Sequence, residues 1–154
     1  MAEFDSVQHT AIAAGSKVLP SAHGKVRCLH FSTPTNAAWA QNDTFRSGIK
    51  HFIPKGSRIL PSSYVSRTAF GASVTMDVGL RALDASGTEI DLDGIAAALD
   101  VSSAGVSLLN TGVLVKDGAN YVTTQDAEVV ATLKAANPTD NAVAAFFIFY
   151  ICND

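Results

Sequence analysis

The chain has 154 residues, 47% hydrophobic and only 16% charged, with a net charge of −3. This composition excludes intrinsic disorder, and the length fits one domain whose core needs neither a metal nor a disulfide staple. The charged share lies well below the ~25% common in soluble domains, which points to a surface partly covered by other subunits.

No apolar run reaches the ~18 residues of a membrane helix, so no membrane partner is expected. Met1-Ala-Glu-Phe-Asp5 lacks the basic start and apolar core of a signal peptide, which implies synthesis and folding in a cytosol. The Asn42-Asp43-Thr44 sequon then meets no glycosylating compartment.

Residues 1–24 read as an N-terminal arm with a short first strand, Val7 to Ala13, and residues 25–154 as a single β-sandwich domain. Lys25 to Phe31 alternates, with Val26, Cys28 and His30 on one face and Arg27, Leu29 and Phe31 on the other. Ser32 to Asp43 is loop-like. Thr44 to Phe52 is strand-like up to the Pro54-Lys-Gly56 turn. Ser57 to Arg67 is a strand interrupted by Pro61, which fits an edge or a bulge.

The clearest strand is Ser73 to Leu83, where Val74, Met76, Val78 and Leu80 form a buried face. Ser73, Thr75, Asp77, Gly79 and Arg81 form its outward one. Asp84-Ala-Ser-Gly87 is a turn and Thr88 to Leu92 a strand. Asp93-Gly-Ile-Ala-Ala-Ala-Leu-Asp100 is the one credible helix, with Asp93 as cap and three alanines inside.

Ser102 to Gly112 reads as irregular. Short strands are expected at Val113 to Val115, Asn120 to Thr123 and Glu128 to Ala135, with a tight turn at Asp117-Gly118. Val143 to Cys152 is apolar on both faces, which fits a central strand covered on both sides by a second layer or a neighbouring subunit. Loss of this last strand by truncation is expected to destroy the fold. The expected fold is all-β: an antiparallel β-sandwich or jelly-roll-like barrel with one short helix.

Charge is divided along the chain. Residues 1–83 hold nine basic and four acidic side chains, and residues 84–154 two and ten. Interleaving of the halves in the fold makes this division trivial; complementary assembly patches would make it meaningful. The basic residues are scattered singly, which argues against a nucleic-acid partner.

No spacing selects a chemistry. His9, His23, His30 and His51 form no metal-binding motif. Cys28 and Cys152 are expected to be buried free thiols, with a chance disulfide as the lesser reading. Asp91-Leu-Asp93-Gly94 opens like a calcium loop, but Ser102 occupies the position of its bidentate acid. Asp77, Asp91 and Asp93 offer carboxylates for glycoside hydrolysis without being singled out from surface acids. Trp39, Tyr64 and Tyr121 are candidates for a sugar-stacking platform, and Trp39 is also a possible interface anchor.

Several segments, in order, resemble small structural proteins of tailed bacteriophages encoded near the major capsid protein. They are His23-Gly-Lys-Val-Arg27, Ile53-Pro-Lys-Gly-Ser-Arg-Ile-Leu60, Ser73-Val-Thr-Met-Asp-Val-Gly-Leu-Arg81, Asp93-Gly94 with Asp100-Val-Ser-Ser103, and Tyr121-Val-Thr-Thr124 with Ala127-Glu-Val-Val-Ala-Thr132. The resemblance implies a virion component on the capsid surface, a decoration or cement protein made in the host cytoplasm. It implies the major capsid protein as partner and a homo-oligomer, a trimer being favoured. It carries over no catalytic, cofactor-binding or metal-binding residue and no enzyme activity. A tail, collar or fibre-base protein, or a carbohydrate-binding sandwich, are the alternatives.

Overall fold

A computed structural model describes residues 25–35, 38–116 and 121–152. Among them are nine strands: β1 (Lys25–Ser32), β2 (Thr44–Arg46), β3 (Ser57–Ile59), β4 (Tyr64–Arg67), β5 (Thr75–Ala82), β6 (Glu89–Asp100), β7 (Gly105–Leu108), β8 (Ala127–Lys134) and β9 (Ala144–Cys152). One short helix, α1, covers Val113–Lys116. The strands form two antiparallel sheets. The first has the order β1-β9-β4-β7, with β3 also on β9, and the second β2-β8-β5-β6.

The pairing is nested. β1 pairs with β9, β2 with β8, β4 with β7 and β5 with β6. The chain is thus one long hairpin rolled across two sheets, the jelly-roll arrangement of a β-sandwich. β3 and β4 share one position, because both lie against the same side of β9. Between them Pro61 sits in a bulge rather than a ladder. The Ser63 hydroxyl closes it, donating to Leu60 O at 2.8 Å and accepting from Phe149 N at 2.9 Å.

The core follows from period-two patterning. Val74, Met76, Val78 and Leu80 are fully buried, as the alternation of β5 requires. They meet Leu133 of β8, and Val65, Phe146 and Ile148 from the opposite sheet, in one hydrophobic cluster. β9 is central, between β1 and the β3/β4 position. Only one of its faces is buried: Ala144, Phe146, Ile148, Tyr150 and Cys152 point inward, whereas Ala145, Phe147, Phe149 and Ile151 remain half-buried.

The segment Asp93 to Asp100 is not helical. It is the second half of β6, the 12-residue partner of β5. Two helical turns gain little on their own, whereas an antiparallel partner supplies both ladder bonds and burial. The strand is bulged: Leu99 faces Met76, Ala96 faces Val78 and Asp91 faces Leu80, with register shifts between them. Ala98 takes φ 49° at one bulge, and Asp77 Oδ1 accepts its amide at 2.8 Å. At the larger bulge the backbone of Asp91 and Leu92 crosses Gly79 so closely that a Cβ there would lie 2.0 Å from Asp91 O.

Other expectations also shift. Val113 to Val115 belongs to α1, not a strand, and its turn packs against the bulge of β6 through Gly112 and Leu114. Ser102 to Gly112 contains β7, and Tyr121 to Thr123 belongs to no strand, although Thr123 exchanges backbone hydrogen bonds with Gly56 and Ser57. Thr44 to Phe52 is a strand only at Thr44–Arg46. The Asp84 turn forms as expected, with Asp84 Oδ1 accepting from Ser86 N at 3.1 Å and Thr88 N at 2.9 Å. The Val7 to Ala13 strand, the N-terminal arm and the Asp117-Gly118 turn lie outside the described residues.

Candidate functional site

The carboxylates that the sequence offers for chemistry are spread over β5 and β6, and Asp77 and Asp91 are engaged by strand backbone. Asp77 holds the Ala98 bulge. Asp91 accepts from Asp93 N at 3.3 Å, and its carboxyl is raised by burial and by hydrogen bonding to the Asp93 side chain. These carboxylates order the bulged strand and form no pair flanking a cleft. Among the described residues no group of three or more His, Cys, Asp or Glu is placed to hold a metal.

His30 and His51 line a depression of about 430 Å³ with Cys28, Lys50 and Tyr150. The His30 ring leans on Phe147, with centroids 4.7 Å apart. His9 and His23 are outside the described residues. Both described cysteines are free thiols: Cys152 is buried, as expected, but Cys28 is exposed. The register explains the difference, since Cys28 faces Phe149 on the outward side of the sheet and Cys152 points inward. Partial burial still pushes the Cys28 thiol up, making it a sluggish nucleophile.

The three sugar-platform candidates are not gathered. Tyr64 stacks on Phe147 at 4.7 Å on the outward face of the first sheet. Tyr121 is half-buried near Asp91, and burial followed by that charge raises its hydroxyl. Trp39 packs on Phe45 at 5.3 Å, and its Nε1 donates to Ala142 O at 2.9 Å. The Trp39 ring therefore pins its loop to the sandwich and leaves only part of its surface free.

Among the described residues Glu128 is a buried carboxylate held by an ion pair. The Glu128 side chain is 3% exposed, and Arg81 Nε donates to its Oε1 at 2.8 Å. Arg46 Nη1 approaches the same oxygen at 3.6 Å. Arg67 Nη2 donates to Asp100 O at 2.7 Å. Basic residues of the first half of the chain thus meet acidic residues of the second half inside the fold, so the charge division along the sequence is interleaved in space.

What remains is a surface rather than a pocket. Register places Val26, Cys28 and His30 of β1 beside Ile151, Phe149 and Phe147 of β9 on the outward side. Tyr64 of β4, then Val106 and Leu108 of β7, continue that side. Val26 is 62% exposed, Val106 67% and Leu108 54%. The outward side of β5 and β8 differs, carrying Asp77, Arg81, Glu128 and Thr132. Sequence reasoning located the apolar outer half of β9 but missed its extension, because β7 was not legible as a strand.

No family model matches the chain, and no curated protein does. A solved structure is similar: a chain of the cyanophage Pam1 capsid asymmetric unit, with a TM-score of 0.58 and 16% sequence identity over 84% of this chain and 86% of that one. The likeness spans nearly the whole sandwich and establishes a shared fold.

Proposed function

We propose that this chain is a structural component of a bacteriophage virion, and within the virion a decoration or cement protein bound to the head. The likeness along most of both chains to a chain of a phage capsid asymmetric unit carries the reading. Three features support it: a jelly-roll sandwich, a low charge content, and an apolar sheet face directed outward. Asp77 and Asp91 serve strand geometry, which fits a non-enzymatic protein.

The partners in this reading are the major capsid protein and further copies of the chain, a trimer being the form that the sequence resemblance implies. Trp39, with its ring half-covered, is a contact position on the loop side of the sandwich. Each copy bridges neighbours and buries apolar area worth ~25 cal/mol per Å², much of it offset by the entropy of association. Repetition over a lattice turns such modest contacts into particle stability.

Quantitative mass spectrometry of purified virions tests the reading. A head protein is expected in hundreds of copies. About ten or fewer would instead place the chain in the tail, collar or fibre base, and absence from mature particles would remove the virion role.

A further inference from the structure

We infer that the outward face of the β1-β9-β4-β7 sheet is covered by a second copy of this chain, sheet face against sheet face. The strand register settles which residues point out. Leu29, Phe31, Val65, Phe146 and Ile148 point into the core, and each of their strand neighbours points the other way. Antiparallel sheets exposed to water normally alternate apolar-in with polar-out. This one presents Val26, Val106 and Leu108 largely exposed, with Phe147, Phe149 and Ile151 half-exposed between them. The partial cover of Phe147 comes from rings on the same face, His30 and Tyr64, each 4.7 Å away.

The charge pattern selects the occupant. Among the strand residues pointing outward from this sheet, Arg58 is the only one with a formal charge, at the β3 end of β9. On the strands themselves a strongly acidic or basic partner would find almost no complementary group; Lys50 and His51 stand beside Cys28 and His30 at the β1 edge only. Among the described strand residues, each copy of the face brings no carboxylate and one arginine near the rim. The outward side of the other sheet, with Arg81, Glu128 and Asp77, is a poor counterpart for an apolar face. The contact is therefore isologous, the same patch on both copies around a two-fold axis.

Size agrees. β9 has nine residues, or about 30 Å at ~3.4 Å per residue, and four strand positions ~4.8 Å apart span roughly 19 Å. That gives roughly 500–600 Å² per copy, so a pair clears the roughly 1,000 Å² total expected of a specific contact. It also exceeds what scattered surface apolar residues need. Two twisted sheets stack face to face about 10 Å apart at about −30°, which lets the Phe147 and Phe149 rows interdigitate.

The pairing belongs to the chain itself, so it is tested first on the purified protein, apart from virions. Sedimentation and native mass spectrometry of wild type are compared with Val106→Lys/Leu108→Lys and, on the opposite edge, Val26→Lys. All three positions are largely exposed in the single chain, and melting curves check that each variant folds. Wild type is expected at twice the 16.1 kDa chain mass, or at six chains where the two-fold contact joins two of the trimers that the sequence resemblance implies. Each variant is expected to dissociate at least about tenfold more readily, because each copy of the pair brings its added lysines to the contact and all must be desolvated. A wild type that stays at single-chain mass up to roughly 100 µM overturns the inference. So does an oligomer, such as a trimer, whose mass neither variant changes. If wild type is monomeric and the variants are excluded from particles, the face docks on another protein and self-pairing is wrong.

Discussion

Gly79→Ala separates two opposite expectations. Gly79 lies inside a strand, so by backbone propensity alone alanine should stabilise it by about 0.5–1 kcal/mol. The fold predicts the reverse. An added Cβ would lie 2.0 Å from Asp91 O, 2.3 Å from Leu92 C and 2.5 Å from Leu92 Cα, where contacts under 3.0 Å are essentially absent from proteins. All three are backbone atoms, so the bulge of β6 must retreat by about 1 Å. Overpacking of this kind costs about 1–3 kcal/mol, and loosening one or two ladder bonds beside it about 1 kcal/mol each. The net expectation is a loss of about 3 kcal/mol. At about 2–4 °C per kcal/mol for a domain of this size, the melting temperature falls by roughly 10 °C. Circular-dichroism melts at one protein concentration measure it. Gly48→Ala is the control: Gly48 has φ +87° with nothing within 4 Å of its Cβ position, so only the left-handed backbone is strained, at about 1 kcal/mol. A Gly79→Ala protein as stable as wild type would refute the crossing of β6 over β5.

The buried ion pair and the acid limb give two further expectations. Arg81→Met leaves the Glu128 carboxylate, 3% exposed, with only the largely exposed Arg46 nearby, and should cost about 3 kcal/mol in urea unfolding. Arg81→Met/Glu128→Leu should recover most of that, and equal losses in the single and double variants would show that the charge is not the cause. Asp84 is held below its ordinary range by the Thr88 hydroxyl and amide, and Asp100 by the Ser102 hydroxyl and amide and then by Arg67. A carboxylate depressed on folding stabilises above its unfolded value, near pH 4, and loses that contribution as pH falls through its folded value. Urea midpoints should therefore drop below about pH 4, less steeply in Asp84→Asn/Asp100→Asn; an unchanged slope would contradict these bonds.

The sandwich was legible where one face is buried and the other wet. Val74 to Leu80 reads out its own core face, and β1 does so at Leu29 and Phe31, whereas β8 is buried on both faces. The sequence misleads where tertiary contact overrides local preference. The alanines of Asp93 to Asp100 suit a helix, and nothing nearby in sequence reveals that Gly79, some fifteen residues earlier, leaves room for a bulged strand to cross it. β7 is four residues long, follows Ser102-Ser-Ala104 and begins at Gly105, so turn signals hide a strand whose partner, β4, lies far back in the chain. Cys28 was misplaced because apolar neighbours suggest burial, whereas the register with β9 turns it outward. The outward apolar face was half visible, in the two-sided apolar pattern of β9. Its breadth depends on strands that come together only in the folded sheet.

The most direct measurement is an electron-microscopy reconstruction of virions from the genome that encodes this chain. The account predicts repeated jelly-roll density of this size on the outside of the head, contacting the major capsid protein. A well-resolved head lattice without that density would contradict it.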